Sequence, residues 1–175
     1  MTTKLEKLQY LSAEAVAWDL LRGLDGSTAE AQLTKFKEEA QELVDDWFKA
    51  RDEEKKLDAI GDMWKVLIAI GTTKAKGELK PILAMCEDIY DASNPESHAF
   101  TEYSEQELVN MIESLIKKDV NGHQLIMIET MRLMIAVAQH FGFDDLLKGF
   151  KMAVDEIKPR RGKLINGVFV KESDL

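Results

Sequence analysis

The chain has 175 residues, 45% of them hydrophobic, with only 3 prolines and 10 glycines, which is enough apolar material for one domain with its own core and excludes disorder as its default state. A formal net charge of −9 argues against direct binding to nucleic-acid backbones or anionic membranes; such a chain meets phosphates through metal ions, unless the charge serves solubility alone. The single cysteine, Cys86, excludes an internal disulfide and suits a reducing cytoplasm.

Apolar positions recur at helical period along most of the chain, which predicts an all-α protein, a bundle of about six to seven helices. The opening MTTKLEKLQYLS carries no signal-peptide core, and no apolar run reaches membrane-spanning length, so a cytoplasmic protein is expected. A first helix is predicted over residues 5–23, where Leu8, Leu11, Ala15, Trp18 and Leu21 fall three or four apart. Gly23 and LDGS end it, and Ser27 or Thr28 caps a second helix that reaches about Ala50. The turn RDEEKKLD leads into a third helix over 57–73, broken at Lys76–Gly77. A fourth covers 78–91 and holds Cys86 as a small buried residue. Residues 93–103 (SNPESHAFTEY) read as a loop. Ser104 then caps a fifth helix ending near Lys118, Asn121–Gly122 makes a turn, and an apolar helix spans 123–141. Gly142 breaks that helix, and Asp144 is expected to cap the last one, which ends before Pro159. The tail GKLINGVFVKESDL contains a short alternating segment with extended character.

The second half echoes the first. QELVNMIESLIK (106–117) aligns with EEAQELVDDWFK (38–49) at an offset of 68, and LMIAVAQ (133–139) with VLIAIGT (66–72) at 67. FKMAVDEIK (150–158) resembles LAMCEDIY (83–90) at a similar offset. Two readings stand: pseudo-repeats over 32–91 and 104–160 with a tail over 161–175, or the generic likeness of amphipathic helices.

The chemistry concentrates between Gln32 and Ile70. In QLTKFKEEAQELVDDWFKA, Glu39 falls beside Leu43 at the edge of the stripe Leu33, Phe36, Leu43 and Trp47. Glu42 and Asp46 continue that ridge, while Glu38 points further out. In LDAIGDMWKVLIAIG, Asp58, Asp62 and Lys65 form one narrow polar stripe in an otherwise apolar helix. Carboxylates there are costly unless a cation compensates them. If the two helices form an antiparallel hairpin, three or four carboxylates converge, and oxygen donors of that kind suit Mg²⁺ or Mn²⁺. The bland alternative is a pair of salt-bridged faces, with Glu38, Asp45, Asp46 and Lys49 on the surface and Asp62 paired to Lys65. The matching second-half positions are Glu107, Asn110 and Glu129, with Arg132 one turn on; Glu129 and Arg132 read as an ion pair. His98, His123 and His140 show no ligand spacing.

These residues resemble the MazG-like all-α nucleoside triphosphate pyrophosphohydrolases, especially short phage-type members. Glu38-Glu39-Ala40-Gln41-Glu42 is similar to that family's E-E-x-x-E, and DAIGDM (58–63) to its acidic pair ending in Asp. The approach W-x-x-x-R-x-L-x-G-S-T-x-x-x-Q-x-x-K, from Trp18 to Lys35, and the ending DEIKPRRGKLINGVFVKE (155–172) also look like these proteins. The likeness covers both ends of the chain, and about 60 central residues are additional.

The resemblance implies a four-helix core, here single or duplicated within one chain. It also implies an Mg²⁺-dependent (or Mn²⁺-dependent) enzyme that splits a (d)NTP into a (d)NMP and pyrophosphate, working in the cytoplasm, that of the host if phage-encoded. Glu39, Glu42 and Asp62 become metal ligands. Ala59 stands where the family has Glu, and Asp58, on the same face, is the candidate substitute. Glu38 orients or activates the attacking water. The family's N-x-x-K appears as Asp155-x-x-Lys158, with Asp in place of Asn; Lys158 with Arg160 or Arg161 binds phosphate, Lys35 belongs to the same substrate-binding set, and Trp18 either stacks on the base or packs in the core. Short members are homodimers, so the expected state is a homodimer or a single-chain pseudo-dimer whose first half gives acids and whose second gives Lys158 and Arg161. Two other functions fit: a dUTPase- or dCTPase-like specialist, and a catalytically decayed helical protein that binds a partner.

Overall fold

Helix α3 (Glu53–Ala75) is the axis of the molecule because it is apolar on nearly every side. Ile60, Met63, Trp64, Leu67, Ile68 and Ile70 have no exposed surface, so neighbours must surround it. In the computed structural model, which describes residues 2–75, 78–165 and 168–172, those neighbours are chiefly α2 (Ala29–Leu43) and α7 (Phe143–Ile157), with α1 (Lys4–Leu21), α4 (Leu79–Ala92) and α6 (His123–Phe141) completing the shell. Helix α5 (Glu105–Lys117) packs on α2 and α6. The architecture is an all-α bundle of seven α-helices among the described residues. A two-stranded antiparallel hairpin, β1 (Gly162–Ile165) with β2 (Val168–Lys171), follows it where the tail's alternation pointed to extended chain. No single helix among the described residues is long and apolar enough to cross a membrane.

Side-chain caps set most helix starts. Thr3 and Glu6 form a reciprocal capping box that begins α1 one residue ahead of the expected Leu5. Thr28, one of the two candidates, accepts the Ala31 N–H at 3.1 Å and starts α2. Ser104 and Glu107 make a second capping box on α5. Two boundaries differ from expectation. Asp52 accepts the N–H groups of Glu54 and Lys55 at 3.1 Å, so the charged run after Arg51 joins α3 instead of forming a turn. Gly142, at φ 89°, is the N-cap of α7 instead of Asp144, which sits in the first turn where its charge meets the helix dipole. The expected break at Lys76–Gly77 lies outside the described residues.

Beyond Leu43, α2 does not continue regularly to Ala50 but widens into a π-turn over Val44–Lys49. The extra residue swings Trp47 and Phe48 onto Phe141, each with ring centroids 6.1 Å from it.

One contact decides how α3 meets α7. A Cβ on Gly61 would lie 2.1 Å from the Gly149 carbonyl oxygen, and one on Gly149 would lie 2.2 Å from the Leu57 carbonyl oxygen. The two backbones touch, and neither can move without prising the helices apart. Gly149→Ala is therefore expected to cost about 1–3 kcal/mol or more through overpacking. Thermal denaturation should show the melting temperature falling by several degrees; an unchanged value would mean that the helices slide apart freely.

Candidate functional site

The α2–α3 pairing brings the acids of the two helices to one cavity of about 350 Å³. Glu39 and Glu42 enter from α2, and Asp62 and Lys65 from α3. Lys35, Gln32 and Ala31 add a further stretch of α2, while Trp18, Leu24, Val66, Ala69 and Ile157 form the apolar part of the wall. Arg160, just past the end of α7, closes the set. One face thus carries three carboxylates and an apolar floor, with three cations around them.

The acids feel one another. Partial burial, then the charges of Asp62 and Glu42, push the Glu39 carboxyl up to about 8. Burial, then Asp58 and Glu156, push Asp62 up to about 6, while Arg160 and Lys65 oppose that rise. Carboxyls that share low-dielectric space resist ionising together, and a cation between them relieves the strain. The sign of the stability effect follows. Folded Glu39 keeps a proton that the unfolded chain gives up near pH 4.3. Its contribution is fully present below that pH and is lost as pH rises through about 8. Glu39→Gln should therefore stabilise the metal-free protein by an amount that grows from pH 5 to pH 9, reaching on the order of 2 kcal/mol after allowance for solvent screening of a partly exposed group. Melting curves across that range, in EDTA, read the difference directly; a constant gap between the two proteins would contradict it.

Four expected site residues stand away from the cavity lining. Glu38 is exposed and held by Lys35 at 2.5 Å. Asp58 is exposed one turn from Asp62; partial burial and Glu156 raise its carboxyl, and Arg160 opposes them. Lys158 is engaged by Glu14 at 3.1 Å and Asp155 at 3.6 Å. Arg161 is exposed, and its carbonyl accepts the Glu172 N–H at 2.8 Å. Among the basic C-terminal residues it is Arg160 that reaches the cavity, with its guanidinium also paired to Glu156.

Trp18 serves packing as well as lining. It is 8% exposed, its indole N–H donates to the Ile157 carbonyl at 2.7 Å, and the Arg22 guanidinium lies 4.1 Å from its ring centroid. Arg22 in turn donates to the Arg160 carbonyl at 2.6 Å, so α1 holds the segment that carries Arg160 against the cavity.

The ion pairs differ from expectation in two places. Lys65 does not pair with Asp62; its ammonium binds Asp19 of α1 at 2.7 Å. Glu129 pairs with Lys118 at 2.5 Å instead of Arg132. Asp19, fully buried, is the residue that sequence reasoning missed. The signal was present: it continues the row Leu8, Ser12, Ala15 on α1, so an acid occupied a core-facing position. Asn110, Glu129 and Arg132 of the second half do share a smaller cavity of about 230 Å³, but only one acid is among them.

The donor set for a metal is oxygen only. Among the described residues, no group of three or more His, Cys, Asp or Glu side chains is already gathered to hold an ion. Glu39, Glu42 and Asp62 offer carboxylate oxygens alone, a donor type that hard divalent cations take. No family model matches the chain, and neither the curated proteins nor the solved structures give a match.

Proposed function

We propose that the cavity between α2 and α3 is the active site of a metal-dependent nucleoside triphosphate pyrophosphohydrolase of MazG-like type, cleaving a (d)NTP between its α- and β-phosphates. One observation carries this reading: Glu39 and Glu42 of α2 and Asp62 of α3 line one cavity that also presents Lys35, Lys65 and Arg160, and the Asp62 and Glu42 charges help burial to push Glu39 up. Acids that disfavour their own ionisation suit a bound cation, and the surrounding cations suit a polyanion. A pair of salt-bridged surface faces would need neither.

Glu39, Glu42 and Asp62 would hold Mg²⁺ or Mn²⁺, which supplies charge neutralisation of the triphosphate and a more acidic water. The remaining work belongs to the chain. Lys35, from α2, and Arg160, just past α7, meet phosphate oxygens, and the apolar wall of Leu24, Val66, Ala69 and Ile157 takes up less polar parts of the nucleotide and excludes water. Glu38 sits one residue from Glu39 and is tied to Lys35, so it acts on that lysine's position more directly than on a water. Because Arg160 follows α7 and the acids lie on α2 and α3, a composite of the two halves within one chain is the natural unit, whether or not the halves arose by duplication.

The test is a panel of eight (d)NTPs with Mg²⁺, its products separated by ion exchange. NMP plus pyrophosphate, abolished by EDTA, is the expected result, and the preferred base separates a broad enzyme from a dUTPase- or dCTPase-like specialist. NDP plus phosphate would mean that a different bond is cut. The competing reading, a decayed partner-binding protein, is favoured by Ala59 in the acidic motif and by the engagement of Lys158 with Glu14. Absence of turnover with both Mg²⁺ and Mn²⁺ would select it.

A further inference from the structure

Lys65 occupies a place that packing alone does not explain. Its side chain is about nine-tenths buried, yet it lines the same cavity as Glu39 and Asp62. Asp62, three residues earlier on α3, is the obvious carboxylate for it. The ammonium instead reaches α1, where it binds Asp19 Oδ1 at 2.7 Å and stands 5.1 Å from the Trp18 ring centroid. Asp19 has no exposed surface, and its other carboxylate oxygen has no hydrogen-bond partner among the described residues. An ammonium has three N–H donors. Asp19 is the one hydrogen-bond partner of Lys65 among the described residues, so donors remain for the cavity.

We infer that Lys65 is the inner anion-binding group of this cavity and that Asp19 is its positioning residue, drawing the ammonium away from Asp62 so that its free N–H groups meet a phosphate oxygen of the bound ligand. This rests on the cavity being a polyphosphate site, and it adds to the hydrolase reading a buried contact besides Lys35 and Arg160. Two buried groups of opposite charge are a weak source of stability. Their joint replacement by neutral groups of similar size leaves the core packed, so the placement of Lys65 at the cavity wall, with Asp19 behind it, needs a reason that faces the cavity.

The probe is Mg²⁺–pyrophosphate at neutral pH, with affinity measured by calorimetry on the full chain. Lys65→Met alone strands the Asp19 carboxylate and is liable to unfold, so the informative protein is Asp19→Asn/Lys65→Met, checked by its melting curve. It should fold like the parent and bind pyrophosphate at least tenfold more weakly. Asp19→Asn alone keeps the ammonium but releases it toward Asp62. It should raise KM for the preferred (d)NTP about tenfold while changing kcat far less, a split that a merely structural pair would not produce. Pyrophosphate binding and KM unchanged in the folded double variant would overturn the inference and leave the hydrolase reading intact. A parent that binds no pyrophosphate would overturn it too. A parent that binds pyrophosphate through Lys65 but turns over no (d)NTP would sink the hydrolase reading and keep the anion site.

Discussion

Glu39→Gln is expected to remove pyrophosphate release almost completely, by roughly 10²–10³-fold in kcat. Glutamine keeps the size and one oxygen of the side chain but cannot carry the charge that a metal needs. The same protein should melt higher than the parent in EDTA, because it mimics the protonated Glu39 that the folded metal-free chain favours below about pH 8. Lost activity together with gained stability identifies a site under electrostatic strain, and a variant that was merely misfolded could not show both. Metal concentration sharpens the test. A carboxyl must lose its proton to bind Mg²⁺, so at low Mg²⁺ the rate should climb with pH up to about 8. At high Mg²⁺ the rise should move to lower pH. Glu38→Gln is the control: its carboxylate is spent on Lys35 outside the cavity, so a loss of no more than about tenfold is expected. Equal losses in the two variants would place the water-activating group at Glu38 after all.

The bundle was legible in the sequence because helical periodicity is a local property that each segment carries for itself. The limits of α6 fall at His123 and Phe141, where the glycines at 122 and 142 put them. Periodicity does not set a boundary where a residue outside the pattern decides it, as the Asp52 side chain does for α3 and the positive-φ backbone of Gly142 does for α7. The π-turn after Leu43 goes with the packing of Trp47 and Phe48 against Phe141, more than ninety residues away, which no local window contains.

The site divides in the same way. Glu39, Glu42 and Asp62 could be brought together from spacing on two adjacent helices, and the structure sets them on one cavity. The choice among Lys158, Arg160 and Arg161 could not be made so, because it depends on how the chain leaves α7. There Lys158 turns to Glu14, and Arg22 holds the backbone of Arg160. Asp19 was hidden for a related reason: one acid inside an apolar stripe gives no clue to its partner, and its partner lies 46 residues further along on another helix.

That pair supports the second large expected effect. Lys65→Met should lower stability by about 3–5 kcal/mol at neutral pH, because it removes the countercharge hydrogen-bonded to a carboxylate with no exposure. For a chain of this length the melting temperature then falls by roughly 6–20 °C. The loss should depend on pH in a definite direction. Burial already pushes the Asp19 carboxyl up, and Lys65 is the foremost group holding it down. Without Lys65 the folded pKa of Asp19 rises further, while the unfolded value stays near 3.9. A carboxyl raised in this way stabilises the fold fully below its unfolded pKa, and that contribution is lost as pH climbs through the folded pKa. Lys65→Met should therefore melt nearest the parent at pH 5 and furthest from it at pH 8, whereas Asp19→Asn/Lys65→Met should track the parent at both. If the single variant lost the same stability at every pH, the cost would come from a packing defect around the shortened side chain, and the buried charge would have no part in it.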